Sequence, residues 1–337
     1  MFNIFKALEK DDKELIHSSF LSFLLSENGI LYRDFFGISE IEFEKPVLEK
    51  TYLLKLDNKK NVKRRIDIEA VSVDGKSVLV IENKFKSFPY KQQLIDYDII
   101  YESYHSGKIK YRFLFCFDKA LIDFKSDWVV FDYQDLLSFI KNNYFQIEDD
   151  AKLLFIKHYY DFLKEYYEHY KQLVHNGEAM FMNSFNSEYK FWLRLFYSAL
   201  RLELTKYFEK LGKEVRFDID GGATKVPLLN IIPNGWKIDG KELLIQFQGN
   251  ELKFYSHSGD RYFIEKVVAI AKNYIHYNGI EFKKMTRKNS ATYYILKIKL
   301  LYLMTDKAIY NIDTIKSVII KFYNDIDARV INQLLMR

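Results

Sequence analysis

The segment Val78-Leu79-Val80-Ile81 limits the possible folds more than any other part of the chain. It is an unbroken aliphatic run between the turn pair Asp74-Gly75 and the polar triplet Glu82-Asn83-Lys84. A strand without polar alternation needs cover on both faces, so it belongs at the centre of a sheet with helices on either side. Side chains repeat every second residue along a strand, which sets Glu82 and Lys84 on the face of Val78 and Val80 and turns Asn83 to the other. Two charged groups therefore stand at the end of a buried strand.

Upstream, 46–56 and 62–73 have strand character and flank the polar cluster 57–61, which predicts an antiparallel hairpin. Strict alternation in Arg65-Ile66-Asp67-Ile68-Glu69 sends Ile66, Ile68 and Ala70 to one face and Arg65, Asp67 and Glu69 to the other. A two-residue hairpin at Asp74-Gly75 then brings Asp67 alongside Glu82. Two carboxylates and an ammonium converge, a cluster that is costly without a cation. The spacing of Ile16, Phe20, Phe23 and Leu24 predicts a helix over 12–26, capped by Asp11 or Asp12 and ended by Asn28-Gly29. Pro89 opens a second helix through about Tyr104, followed by strands at 111–117 and 128–131 and a helix at 134–141. The order helix, three strands, helix, strand is an α/β core with a mixed sheet.

The chemistry this set suits is phosphodiester cleavage. Mg²⁺ prefers carboxylate oxygens, keeps several waters and needs few protein ligands, so Asp67, Glu82 and the backbone carbonyl of Asn83 suffice, with Mn²⁺ as a substitute. Lys84 is placed to orient a water and offset charge in the transition state. Glu14 on the first helix is expected to add a carboxylate, directly or through water. His17, one helical turn on, is either a supporting group or a satisfied core histidine.

These residues resemble the PD-(D/E)XK nuclease superfamily: Arg65-Ile66-Asp67, then Ile81-Glu82-Asn83-Lys84, then Gln93-Leu94-Ile95-Asp96-Tyr97, preceded by Glu14-Leu15-Ile16-His17. The pattern is similar to a bacterial and phage branch with a Glu-x-x-His helix, a Glu-Asn-Lys strand end and a Gln-Leu-x-x-Tyr helix. The resemblance implies a restriction-endonuclease-like fold with Asp67 and Glu82 as metal ligands, Lys84 as the catalytic lysine and Glu14 as an auxiliary acid. It also implies that Gln93 and Tyr97 support the site. Two departures stand out: Ile66 replaces the proline of the name, and no second histidine follows shortly after Leu25.

With 337 residues, the chain is longer than one core usually serves. We expect a nuclease-like domain over 1–147, a connecting long helix and linker over 148–180, and a C-terminal α+β domain of unknown role over 181–337. The rings spaced along 148–175 suit packed core better than a stacking platform. In the second half, helices are expected over 188–211, 260–277 and 314–335, with strands over 228–232, 242–248, 251–255, 280–284 and 293–300.

A single buried-looking cysteine, Cys116, leaves no intrachain disulfide, and no long uncharged apolar stretch or secretory leader is present, so a cytoplasmic protein with no membrane partner is expected. Net charge is +5, which permits a polyanionic partner without demanding one. The basic runs Lys59, Lys60, Lys63, Arg64, Arg65 and Lys283, Lys284, Arg287, Lys288 are either phosphate contacts or solvated faces; of these, Lys63, Arg64 and Arg65 lie nearest the site. The expectation is a metal-dependent nuclease acting on DNA, with RNA as an alternative substrate that the sequence does not separate from it, and with homo-oligomerisation possible through the C-terminal half. The rival is a catalytically silent nucleic-acid-binding or interaction module on the same fold.

Overall fold

The computed structural model describes residues 2–7, 14–27, 29–55, 61–87, 89–122, 124–145, 147–177, 181, 187–220, 226–283, 294–304 and 310–336. The caps expected at Asp11 or Asp12 and the basic residues Lys59, Lys60, Lys284, Arg287 and Lys288 lie outside these. The chain divides into two compact units, Met1–Glu168 and His169–Arg337.

In the first unit, helices α1 (Ile4–Ala7) and α2 (Glu14–Ser26) precede strands β1 (Val47–Lys55), β2 (Asn61–Val71) and β3 (Ser77–Lys84). Helix α3 (Lys91–Tyr104), β4 (Ile109–Cys116), β5 (Val129–Asp132), α4 (Tyr133–Asn143) and α5 (Asp150–His175) follow. The sheet order is β1-β2-β3-β4-β5, antiparallel across β1, β2 and β3 and parallel across β3, β4 and β5. This is the expected α-β-β-β-α-β core with a mixed sheet. Every residue of β3 is buried, as its aliphatic run requires. Full burial of Val78, Leu79, Val80 and Ile81 contributes roughly 1.5–3 kcal/mol each.

One face of the sheet packs Ile66, Val78 and Val80 against Leu94, Tyr97 and Tyr101 of α3. On α2, Phe20 stacks on Tyr159 of α5, and His17 stacks on Phe85 just beyond β3. Helix α5 buries Ile156, Tyr159, Phe162 and Leu163, and the division between the units falls within it. Its rings are core.

The β2–β3 register, Val71↔Val78 through Ile68↔Ile81, is centred on Asp74-Gly75 as the turn pair predicts. The loop is wider than two residues, however. Ser72 N–H donates to the Ser77 carbonyl, and the Ser77 N–H donates to Ser72 Oγ at 2.8 Å, so the chain opens beyond that pair. Gly75 takes φ 71°, a left-handed conformation that costs glycine little.

Strict alternation fails in β2. Ile66 packs toward α3, yet Glu69, opposite Val80, also faces α3 and accepts hydrogen bonds from the hydroxyls of Tyr52 (2.6 Å) and Tyr101 (3.0 Å). Two successive residues, Asp67 and Ile68, therefore stand on the α2 side. The expectation that Ile66 shares a face with Ile68, and Asp67 with Glu69, is corrected by this slip, a bulge-like irregularity that period-2 reasoning cannot see.

The second unit holds β6 (Val215–Asp220), β7 (Leu228–Pro233), β8 (Lys237–Ile238), β9 (Lys241–Gln248), β10 (Glu251–Ser256), β11 (Glu281–Phe282) and β12 (Tyr294–Lys299). The sheet order is β11-β12-β10-β9-β7-β6, with β8 paired to β9. Helices run over Ser187–Lys210, Arg261–Tyr274 and Ile312–Ile326. Strand β6 was not anticipated, although Val215, Phe217 and Ile219 do alternate with Arg216, Asp218 and Asp220. The last helix gives way to a π turn at Asp327–Ile331, where Trp236 Nε1–H and Lys213 both donate to the Asp327 carboxylate. No helix among the described residues is long and apolar enough to cross a membrane.

Candidate active site

The β2–β3 ladder stops at Ile68↔Ile81, one residue short of the position where Asp67 would face Glu82. There the Asp67 side chain replaces the ladder, its Oδ2 accepting the Asn83 N–H at 2.7 Å. On the other side of β2, Leu48 and Lys50 keep their partners Ile68 and Ile66, while Glu49 between them adopts φ 53°. A glutamate in the left-handed region costs about 1–3 kcal/mol and persists where surrounding contacts over-determine it. The slip is thus absorbed by Glu49 on β1 and directs Asp67 toward α2.

Glu82 is almost fully buried. Its Oε1 accepts from Gln93 Nε2 at 2.5 Å and pairs with the Lys84 ammonium, while no donor reaches the buried Oε2. Burial, and then the charge of Asp67, push the Glu82 carboxyl up to about 8. Burial also raises Asp67, against the pull of Lys84 and the Asn83 N–H. For Lys84, burial works against the charged form, but the carboxylates of Glu82, Glu14 and Asp67 outweigh it and hold the group above the ordinary lysine value. Lys84 keeps its proton.

Glu14 does not join the two acids directly. Its Oε2 is 4.0 Å from Lys84 Nζ and its Oε1 accepts from the Ser87 hydroxyl. Gln93 Nε2 also donates to the Tyr97 hydroxyl at 2.6 Å, and that hydroxyl donates to the Arg65 carbonyl at 2.7 Å, so one turn of α3 ties Glu82 to β2. Glu14, Glu49, Arg65, Asp67, Lys86 and Ser87 line a cleft of about 430 Å³.

The remaining expected residues separate. His17 is fully buried, hydrogen-bonded to Tyr159 at 2.8 Å and stacked on Phe85, which makes it a core histidine. Arg64 binds Asp96 of α3 through Nε at 2.7 Å, on the side of the sheet away from the cleft. Lys63 is exposed, and Arg65 lines the cleft.

Sequence reasoning missed the Asn83 side chain. Its Nδ2 donates to Ser18 Oγ (3.0 Å) and the Glu14 carbonyl (3.3 Å), and its Oδ1 accepts from Tyr133, clamping the strand end to α2 and α4. The available signal was an amide on the buried face of an apolar strand, where it must find partners.

Among the described residues, no three His, Cys, Asp or Glu side chains gather into one metal-holding group. The donor set is the pair Asp67 and Glu82, and it fits a hard divalent ion. A buried carboxylate oxygen without a donor, next to a second carboxylate, is relieved by a cation that brings its own waters.

Two outcomes follow from this geometry. The folded-state value of Glu82 lies above its unfolded value, so its contribution to stability is full below the unfolded value and is lost as pH rises through about 8. In chelator, the melting temperature should fall over that window, and Glu82→Gln should flatten the slope; a slope identical in the variant would remove Glu82 as its source. Gln93→Ala should lower turnover or metal affinity about 10–100-fold, well beyond what its loss of melting temperature accounts for. Steady-state rates across a metal titration, set beside calorimetry, separate that outcome from a packing defect.

A mixed sheet whose central strand ends in Glu-x-Lys opposite a re-aimed aspartate is the arrangement that the Asp67, Glu82 and Lys84 pattern led us to expect. Residues 2–168 match the model of the PD-(D/E)XK nuclease superfamily, and through them the chain belongs to that superfamily. Comparison with curated proteins and with solved structures gave no match.

Proposed function

We propose that the protein hydrolyses phosphodiester bonds in DNA with a divalent ion, Mg²⁺ or its substitute Mn²⁺, held by Asp67, Glu82 and the backbone carbonyl of Asn83. The observation that carries this reading is the buried Glu82 Oε2 left without a donor beside Asp67. When bound, the ion supplies Lewis acidity to the scissile phosphate and acidifies the attacking water.

The chain's own groups do the rest. Lys84 keeps its ammonium at the buried end of β3, where it orients the water and offsets negative charge developing on the phosphate oxygens. Glu14, braced by Ser87, steadies Lys84 from α2. Gln93 and Tyr97 hold the Glu82 carboxylate and the β2 backbone in register. Arg65 meets the nucleic-acid backbone. In this assignment residues 1–147 carry the chemistry, 148–180 connect, and 181–337 engage substrate or a second copy of the chain.

Purified full chain is to be incubated with labelled single-stranded DNA, duplex DNA and RNA of one sequence, in Mg²⁺, Mn²⁺ and chelator. Cleavage of DNA that needs the metal is expected. RNA cut in preference to DNA would overturn the substrate assignment, and no cutting of any substrate would overturn the enzymatic one.

A further inference from the structure

Glu49 occupies a position whose backbone favours glycine. The face slip in β2 requires a left-handed residue on β1, and with φ 53° and no extra residue in the register, glycine would meet that need without strain. The backbone accounts for the conformation but not for the glutamate. Its carboxylate does: Oε1 lies 3.2 Å from Arg65 Nη1, and both side chains line the cleft with Asp67.

That pair is well exposed, 62% for the Arg65 side chain and 34% for Glu49, and its nearest approach joins one carboxylate oxygen to one guanidinium nitrogen. Solvent-exposed ion pairs of this kind are weak. A phosphate diester can present two oxygens to the guanidinium fork, a stronger and more directional partner than one carboxylate oxygen. A carboxylate left in the path of a polyanion also repels it, so the pair cannot persist unchanged when the cleft fills.

We propose that Glu49 and Arg65 form an exchangeable latch on the cleft wall, in which a backbone phosphate of the incoming nucleic acid takes the Arg65 guanidinium from Glu49. This rests on the nuclease reading and adds a specificity element to it. Glu49 acts through Arg65 and is a positioning residue. The latch keeps a carboxylate in competition for the arginine and so penalises ligands that lack a phosphate at this place.

The test is binding of fluorescein-labelled DNA and RNA oligonucleotides to the full chain in Ca²⁺, read by anisotropy at fixed salt. Wild type, Glu49→Gln, Glu49→Gly, Arg65→Ala and the Glu49→Gln/Arg65→Ala double variant are compared. Glu49→Gln should tighten binding roughly three- to tenfold and Arg65→Ala should weaken it about tenfold. In the Arg65→Ala background, Glu49→Gln should change affinity less than about twofold. Glu49→Gly should bind as Glu49→Gln does while melting higher than wild type, because it relieves the backbone. Weaker binding by Glu49→Gln, or equal tightening with and without Arg65, would overturn the latch. Absence of metal-dependent cleavage with this binding pattern intact would sink the nuclease reading alone, and a wild type that binds neither oligonucleotide would overturn both.

Discussion

Glu82→Ala and Lys84→Ala should each lower metal-dependent cleavage by about 10²–10³-fold, the range seen when a single preorganised charge-stabilising group is removed. The two losses arise differently. Lys84 is only 8% exposed, and the alanine variant leaves Glu82 Oε1 with Gln93 as its neutral donor. That strengthens the preference of Glu82 for its proton and removes the cation that offsets transition-state charge. Glu82→Ala removes the carboxylate instead, leaving Asp67 alone and Lys84 without its nearest counter-ion. A raised metal requirement should accompany the second change at every pH, and the first only where the proton competes with the ion for Glu82. Single-turnover rates with excess enzyme over a range of Mg²⁺ would read both effects, and unchanged rates in both variants would eliminate this site as the seat of catalysis.

The largest loss of stability is expected at Asn83. Leucine at this fully buried position keeps similar volume but removes the hydrogen bonds with the Tyr133 hydroxyl, the Ser18 hydroxyl and the Glu14 carbonyl. Losing a hydrogen bond costs about 0.5–1.5 kcal/mol and more in a buried site, which gives a total of about 3 kcal/mol. For a unit of this size that is a drop of about 6–12 °C in melting temperature. Cleavage should fall with it, since Glu14 sits on the turn of α2 that Asn83 clamps. A melt within about 2 °C of wild type would show that the amide is dispensable and that α2 is held by packing alone.

The contrast between Asn83 and its neighbours Glu82 and Lys84 illustrates what a sequence exposes. Charged residues at the end of an aliphatic run are conspicuous because nothing local compensates them. An amide between them is inconspicuous, since its partners at Ser18 and Tyr133 lie far away along the chain. His17 shows the converse. Its place on the first helix suggested chemistry, yet Phe85 and Tyr159 enclose it in the core. Arg64 and Arg65 are adjacent, but only the sheet decides that Arg64 turns to Asp96 and Arg65 to the cleft.

By itself the sequence determined the order of the core elements in the first unit, the central position of β3, the pairing of β2 with β3 about Asp74-Gly75, and the common face of Glu82 and Lys84. All of these follow from short-range rules: a period of two along a strand, a turn pair that sets register, and the cost of exposing aliphatic runs. Tertiary structure alone decided the slip that sends Asp67 and Ile68 to one side, the left-handed Glu49 that absorbs it, and the amide clamp of Asn83. Those depend on which distant groups must share a buried space, and a departure from periodicity is settled by the packing and hydrogen bonds it gains across the sheet.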